Sequence, residues 1–179
     1  VDSYNGQYRL KDNLRNIHTL NGSNLNGQAN TVSGELIGGQ EYVNSSTSYT
    51  QNTTKPVVEV HWGIAKTYDY YKNTHNRNSY DGNGSIIRNY YNPPASINPA
   101  DNAGALDAQG IVAMVYGAGA QFLNPVVGLD VAGHEFSHLV IGRNGNGGLN
   151  YQGESGALNE SFADMFGAAI EFNSVSNPN

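Results

Sequence analysis

The chain has 179 residues, 38% hydrophobic and only 13% charged, with a formal net charge of −6; it is long enough to bury a real core, as one domain or as one lobe of something larger. The acidic balance argues against nucleic acid as a partner, and no apolar run approaches the roughly 18 residues needed to span a membrane. With no cysteine in the chain, disulfides and thiolate ligands are excluded, so a transition-metal site must be built from histidine and carboxylates.

The sequence opens at Val1 without a basic-then-apolar leader, and the expectation is that a targeting or pro-segment has been removed. Up to about Lys55 it is rich in Asn, Ser, Thr and Gly, with short alternating pieces at 8–11 and 33–37 that read as twisted strands between long turns. His18, Glu35 and Glu41 read as solvated surface groups. From Pro56 the texture changes: Val57, Val60, Ile64, Tyr68 and Tyr71 recur at helical spacing, with Pro56 suited to a first turn and Thr54 near the cap. His61, Trp62 and Tyr70 read as core and rim packing around this helix, and His75 as structural. Asp81-Gly82-Asn83-Gly84 is a turn signal before a strand-like run at 85–91 that stops at Pro93-Pro94. A loop through Asn98 and Asp101 leads to the apolar, β-branched strand 110–116; glycines at 117 and 119 and Pro125 then close this part.

Next comes His134-Glu135-Phe136-Ser137-His138 inside the apolar run 131–141. In a helix, His134 and His138 at i and i+4 share one face, so two imidazoles can reach one zinc ion. Glu135, about 100° further round, stands beside the metal rather than on it. Burying three titratable groups among Val, Leu and Ile is costly unless metal or hydrogen bonds compensate. Gly142 can end this helix. A loop of glycine and asparagine containing Tyr151 follows, then a second largely buried helix over 157–172.

The short loop makes the two helices antiparallel neighbours, and each carries a polar stripe. Asp130, His134 and His138 line one; Glu160, Asp164 and Glu171 line the other. Run antiparallel, they pair His138 with Glu160, His134 with Asp164, and Asp130 with Glu171. Glu160 is then the third zinc ligand, leaving the fourth position open, as in a catalytic rather than a structural zinc site. Asp164 would accept the free ring N–H of His134. Asp130 and Glu171 are either bridged by a hard cation such as calcium or are two solvated acids at a helix end.

The two motifs together, His134-Glu135-Phe136-Ser137-His138 and Gly156-Ala157-Leu158-Asn159-Glu160-Ser161-Phe162-Ala163-Asp164, resemble the thermolysin-like zinc metalloendopeptidases, with support from residues 67–82 and from Met114-Val115-Tyr116-Gly117. The resemblance implies an α+β lobe of zincin type: a β-rich part (1–55), then a long helix, sheet and zinc-site helix pair (56–179). It implies zinc on His134, His138 and Glu160, Glu135 as general base, Asp164 behind His134, calcium near Asp130, Glu171 and Asn177, and Tyr151 helping to stabilise the oxyanion. Asn102-Ala103 match the start of the family's substrate-binding edge strand, although Gly104-Ala105 stand where the family has an aromatic pair. It further implies a secreted enzyme made as a zymogen, a peptide or protein substrate, and a C-terminal lobe from the same precursor that supplies the other wall of the cleft. Two other functions stay open on the residues alone: a zinc-binding but catalytically silent half-enzyme or interaction module, and a carbohydrate- or surface-binding domain with an accidental H-E-x-x-H.

Overall fold

The computed structural model describes residues 1–108, 110–143 and 148–176. Among the described residues, nine short strands, a 3-10 turn (Asn52–Thr54) and three α-helices make an α+β fold, as the resemblance implies. The first part is β-rich: β1 (Asp2–Tyr4), β2 (Gln7–Arg9) and β6 (Val43–Asn44) form a small antiparallel sheet in the order β1-β2-β6. The larger sheet runs β3-β4-β7-β9-β8, from β3 (Lys11–Asp12) and β4 (Ile17–Asn21) through β7 (Ile87–Tyr91) and β9 (Ile111–Tyr116) to β8 (Ala103–Ala108). A short β5 (Gln40–Glu41) also pairs with β4. β4, β7 and β9 are parallel, and β8 turns back antiparallel on β9 with Ala105 opposite Met114.

Period-two alternation gives this sheet two apolar faces. Met114 and Tyr116 join Ile17, Ile87, Tyr91 and the helices in the main core, whereas Ala113, Val115, Tyr90 and Leu20 face the opposite side with Leu25 and Leu36. The Tyr90 hydroxyl accepts from Leu36 N–H at 2.9 Å, which keeps that phenol satisfied where it is fully buried.

Helix α1 (Lys55–His75) buries Val57, Val60, Gly63, Ile64, Thr67 and Tyr71 along one stripe, close to the stripe read from the sequence, with Thr67 rather than Tyr68 as its polar member. Pro56 lies in its first turn, and Asn76 ends it in the left-handed conformation. Helices α2 (Leu129–Gly142) and α3 (Gly153–Ser176) form the antiparallel pair; α3 is longer at both ends than its apolar pattern predicts. Among the described residues no helix is long and apolar enough to cross a membrane.

Three expectations need correction. Residues 103–108, a loop on residue pattern alone, are strand β8, as the resemblance at Asn102-Ala103 implies: Gly, Ala and Asp carry little intrinsic strand preference, and it is pairing with β9 that makes the strand. Residues 33–37 form turns with a single bridge between Ala29 and Leu36 instead of a strand. His18 is buried, not solvated; its Nε2 meets both Glu41 oxygens at 3.1 and 2.9 Å, and Arg9 binds the same carboxylate at 2.6 Å. The pairing of β5 with β4 sets Glu41 beside His18, and Arg9 reaches it from β2, contacts that local sequence cannot report.

Candidate metal centre

α2 and α3 can approach closely because each has a glycine at the crossing. A Cβ on Gly133 would lie 3.1 Å from Gly167 Cα, and one on Gly167 only 2.6 Å from the Asp130 carbonyl oxygen. The polar stripes of the two helices therefore meet across a short gap.

His134 Nδ1 lies 2.8 Å from Asp164 Oδ1, and His138 Nδ1 lies 2.7 Å from Asn159 Oδ1. Both acceptors are oxygens, so each ring carries its proton on Nδ1 and presents an unprotonated Nε2 inward. The two Nε2 atoms face each other at 2.9 Å. Glu160 reaches both, with Oε2 3.3 Å from His134 Nε2 and Oε1 3.7 Å from His138 Nε2. Three acceptor groups thus converge with no hydrogen to share. Such a set repels itself unless a cation sits among it, and two imidazoles with one carboxylate suit zinc.

Glu135 is on the same turn as His134 but turned inward, 7% exposed. Among the described residues, His134, Glu135 and His138 are the one group of three metal-type side chains with ligand atoms within 4.8 Å of one another. Burial pushes the Glu135 carboxyl up to about 7; the charge of Glu160 acts in the same direction, while His134 and the backbone N–H of Ala105 on β8 oppose it. A cleft of about 620 Å³ opens over this centre, lined among others by Asn102, by Ala103 and Ala105 from β8, by Tyr151, and by Asn159 from α3. Tyr151 is exposed at its mouth, its ring edge-on to His138 at 6.0 Å between centroids. Asp130 and Glu171 share the lining of two further clefts, but among the described residues they belong to no three-membered ligand group. Asn177 lies outside the described residues.

Residues 1–142 match the family model for the thermolysin metallopeptidase catalytic domain, and residues 147–178 match that for the thermolysin metallopeptidase alpha-helical domain. The chain belongs to the thermolysin metallopeptidase family. Curated relatives of this thermolysin-family chain include a bacillolysin of Brevibacillus brevis, 46% identical over 66% of the chain and 21% of the relative, and the thermostable neutral protease NprT of Geobacillus stearothermophilus, 36% identical over 98% of the chain and 30% of the relative. The chain therefore spans less than a third of the length of either. A precursor of protealysin, a metalloproteinase from Serratia proteamaculans, has the same fold with TM-score 0.64 at 24% identity, covering 88% of this chain and 44% of that one. The metal centre draws on both matched segments: His134, Glu135 and His138 from the first, Asn159, Glu160 and Asp164 from the second.

Two contributors escaped the sequence reading. Asn159 holds the His138 ring, although the stripe arithmetic gave His138 only Glu160; its neighbourhood to Glu160 and its burial are the signal, since a buried amide needs a partner. Ala105 turns its backbone N–H toward Glu135, opposing the rise of its pKa, and a backbone group leaves no mark in residue type.

Proposed function

We propose that this chain is the N-terminal catalytic lobe (residues 1–179) of a zinc-dependent endopeptidase, with peptides or proteins as substrate. The observation that carries the reading is the convergence of His134 Nε2, His138 Nε2 and the Glu160 carboxylate, three acceptors without a donor, beside one buried acid. Glu160 is the third ligand rather than Glu135, because its two oxygens each face one imidazole while Glu135 is buried. Zinc held there would supply Lewis acidity for the scissile carbonyl and bring the pKa of a water toward about 7.

The remaining work falls to side chains. Glu135 takes the proton of the attacking water and hands it to the departing amine, a role that its place in the cleft beside the two imidazoles allows. Asp164 and Asn159 keep the two rings in the Nδ1–H tautomer, so that Nε2 stays available. Tyr151 turns its hydroxyl to the developing oxyanion. Asn102 and Ala103, at the start of the sheet-edge strand, hold the substrate backbone in the cleft. Calcium at Asp130, Glu171 and Asn177 is the proposed second metal.

Another lobe from the same precursor faces this one across the cleft and makes the enzyme complete. Support comes from the fraction of its relatives that the chain spans and from α3, where Leu158, Phe162, Met165, Phe172 and Val175 are each at least 40% exposed, a larger apolar surface than a helix normally leaves to water. Enzyme of this family type is placed outside the cell, processed from a precursor. Without the second lobe, the chain is expected to bind zinc and cleave poorly, the behaviour of a silent half-enzyme.

The test is a zinc titration of chelator-treated protein with elemental analysis, alongside peptide cleavage by the full-length gene product. One zinc per chain, abolished in His134→Ala and His138→Ala, is expected. A chain that takes up no zinc, or a full-length product that binds zinc and cleaves no peptide, refutes the proposal.

A further inference from the structure

β8 is an edge strand: β9 holds one side, and among the described residues no strand pairs with the other. It nevertheless packs along α2 and, through Ala103, Ala105 and Asp107, lines the cleft over the metal centre. A strand paired on one side alone is weakly anchored for a wall of that cleft.

A tie beyond that pairing exists further along. Arg143, the residue that caps α2, makes a two-pronged ion pair with Asp107 on β8: Nη1 donates to Oδ2, and Nη2 donates to Oδ1 at 2.6 Å. The planar guanidinium and carboxylate match edge to edge, which fixes orientation as well as distance. Arg143 is itself held from behind. Its backbone carbonyl accepts from Arg77 Nη2 at 3.0 Å, and Arg77 also binds the Tyr80 carbonyl at 2.6 Å. Its backbone N–H donates to Val140 at 3.0 Å. The guanidinium thus reaches β8 from a fixed point, and a cation at the C-terminus of α2 is favourably placed against the helix dipole.

The dimensions close. Glu135 and Arg143 are eight residues apart, about 12 Å along a helix; Ala105 and Asp107 are two apart, about 7 Å along a strand and on the same side. The length of the arginine side chain spans the difference. Helix and strand are therefore joined where Arg143 meets Asp107, two residues along β8 from the Ala105 that lines the cleft with Glu135.

We propose that Asp107 and Arg143 are positioning residues that hold the edge strand β8 against α2, keeping the cleft wall of Ala103 and Ala105 in place beside Glu135 during turnover. Neither makes a hydrogen bond or ion pair with His134, His138 or Glu160, and Asp107 lines the cleft while its carboxylate is committed to Arg143. The proposal rests on the endopeptidase reading for its catalytic consequence, but not for its structural one.

The experiment compares Asp107→Asn, Arg143→Gln and the double variant in the full-length gene product. Amide hydrogen exchange of residues 103–108 is read in chelator-treated and zinc-loaded protein, with zinc content, thermal midpoint, kcat and KM alongside. Expected are exchange over 103–108 roughly tenfold faster in each single variant, no further change in the double variant, unchanged zinc content, and kcat lowered roughly tenfold with KM within about twofold. Arg143→Lys, which keeps the charge and loses the fork, should recover only part of the loss. Unchanged exchange over 103–108 in both single variants overturns the proposal. So does a loss that adds in the double variant, or one that follows the thermal midpoint and spreads evenly over the whole chain. Because exchange needs no activity, a protein that fails to cleave peptides refutes the endopeptidase reading while this pair is still tested.

Discussion

Gly133 on α2 and Gly167 on α3 sit against each other so closely that a methyl group on Gly167 would come within 2.6 Å of the Asp130 carbonyl oxygen and within 3.3 Å of His134 N. Backbone on backbone is what brings Glu160 and Asp164 within reach of the two imidazoles. Gly167→Ala must therefore push the helices apart. The expected loss is about 1–3 kcal/mol of stability, the usual cost of overpacking, together with weaker zinc binding because the ligands on α3 recede. Urea unfolding of the metal-free protein and a zinc competition titration measure the two; a variant with wild-type values in both would show that the crossing can relax without cost.

The rings of His134 and His138 are oriented from behind by Asp164 and Asn159 at 2.8 and 2.7 Å. Asp164→Ala and Asn159→Ala should each reduce zinc affinity roughly 10–100-fold while leaving the ligands themselves present. Competition against a chromophoric chelator reads this directly. Unaltered affinity in both variants would mean that the rings are held by packing alone.

Glu135→Gln keeps shape and burial but removes the proton acceptor. Zinc content should be unchanged, whereas kcat of the full-length product should fall by roughly 10²–10⁴-fold. Lost zinc would instead mark Glu135 as a ligand and reverse the roles given to it and Glu160.

Burial holds the His61 imidazole down to about 4 from its ordinary 6.5, and its Nδ1 is 2.8 Å from Thr19 Oγ1. The folded chain therefore keeps His61 neutral where the unfolded chain binds a proton. Its contribution to stability is complete above about pH 6.5, falls as pH drops through the window to about 4, and is level below that, for a total of about 3 kcal/mol. Measured by urea unfolding of metal-free protein between pH 7 and 5, the wild type should lose stability more steeply than His61→Gln. Parallel curves would sink this assignment.

Much of the site was legible because its order is local. The i, i+4 spacing of His134 and His138, the stripe of Glu160 and Asp164, and the burial of Val57, Val60, Ile64 and Tyr71 on α1 all follow from the 3.6-residue period, which is a property of the chain itself. The same holds for β7 and β9, whose β-branched and aromatic runs declare them. What depends on rotation and offset between elements was not legible. Stripe arithmetic paired His138 with Glu160 alone, yet Glu160 spans both histidines and is nearer His134, because the glycine contact sets how far the helices slide together.

The sequence by itself determined that two histidines and a glutamate share a buried helix, that a second acidic helix follows after a short loop, and that thiolate chemistry is absent. Only the tertiary structure decided that Ala105 of β8 lines the cleft with Glu135, that Asn159 rather than a charged group backs His138, and that Asp107 and Arg143, 36 residues apart, close on each other. The physical reason is one of range: periodicity and charge are written along the chain, but backbone donors carry no residue label, and contacts between distant segments exist only once helices and sheet have packed.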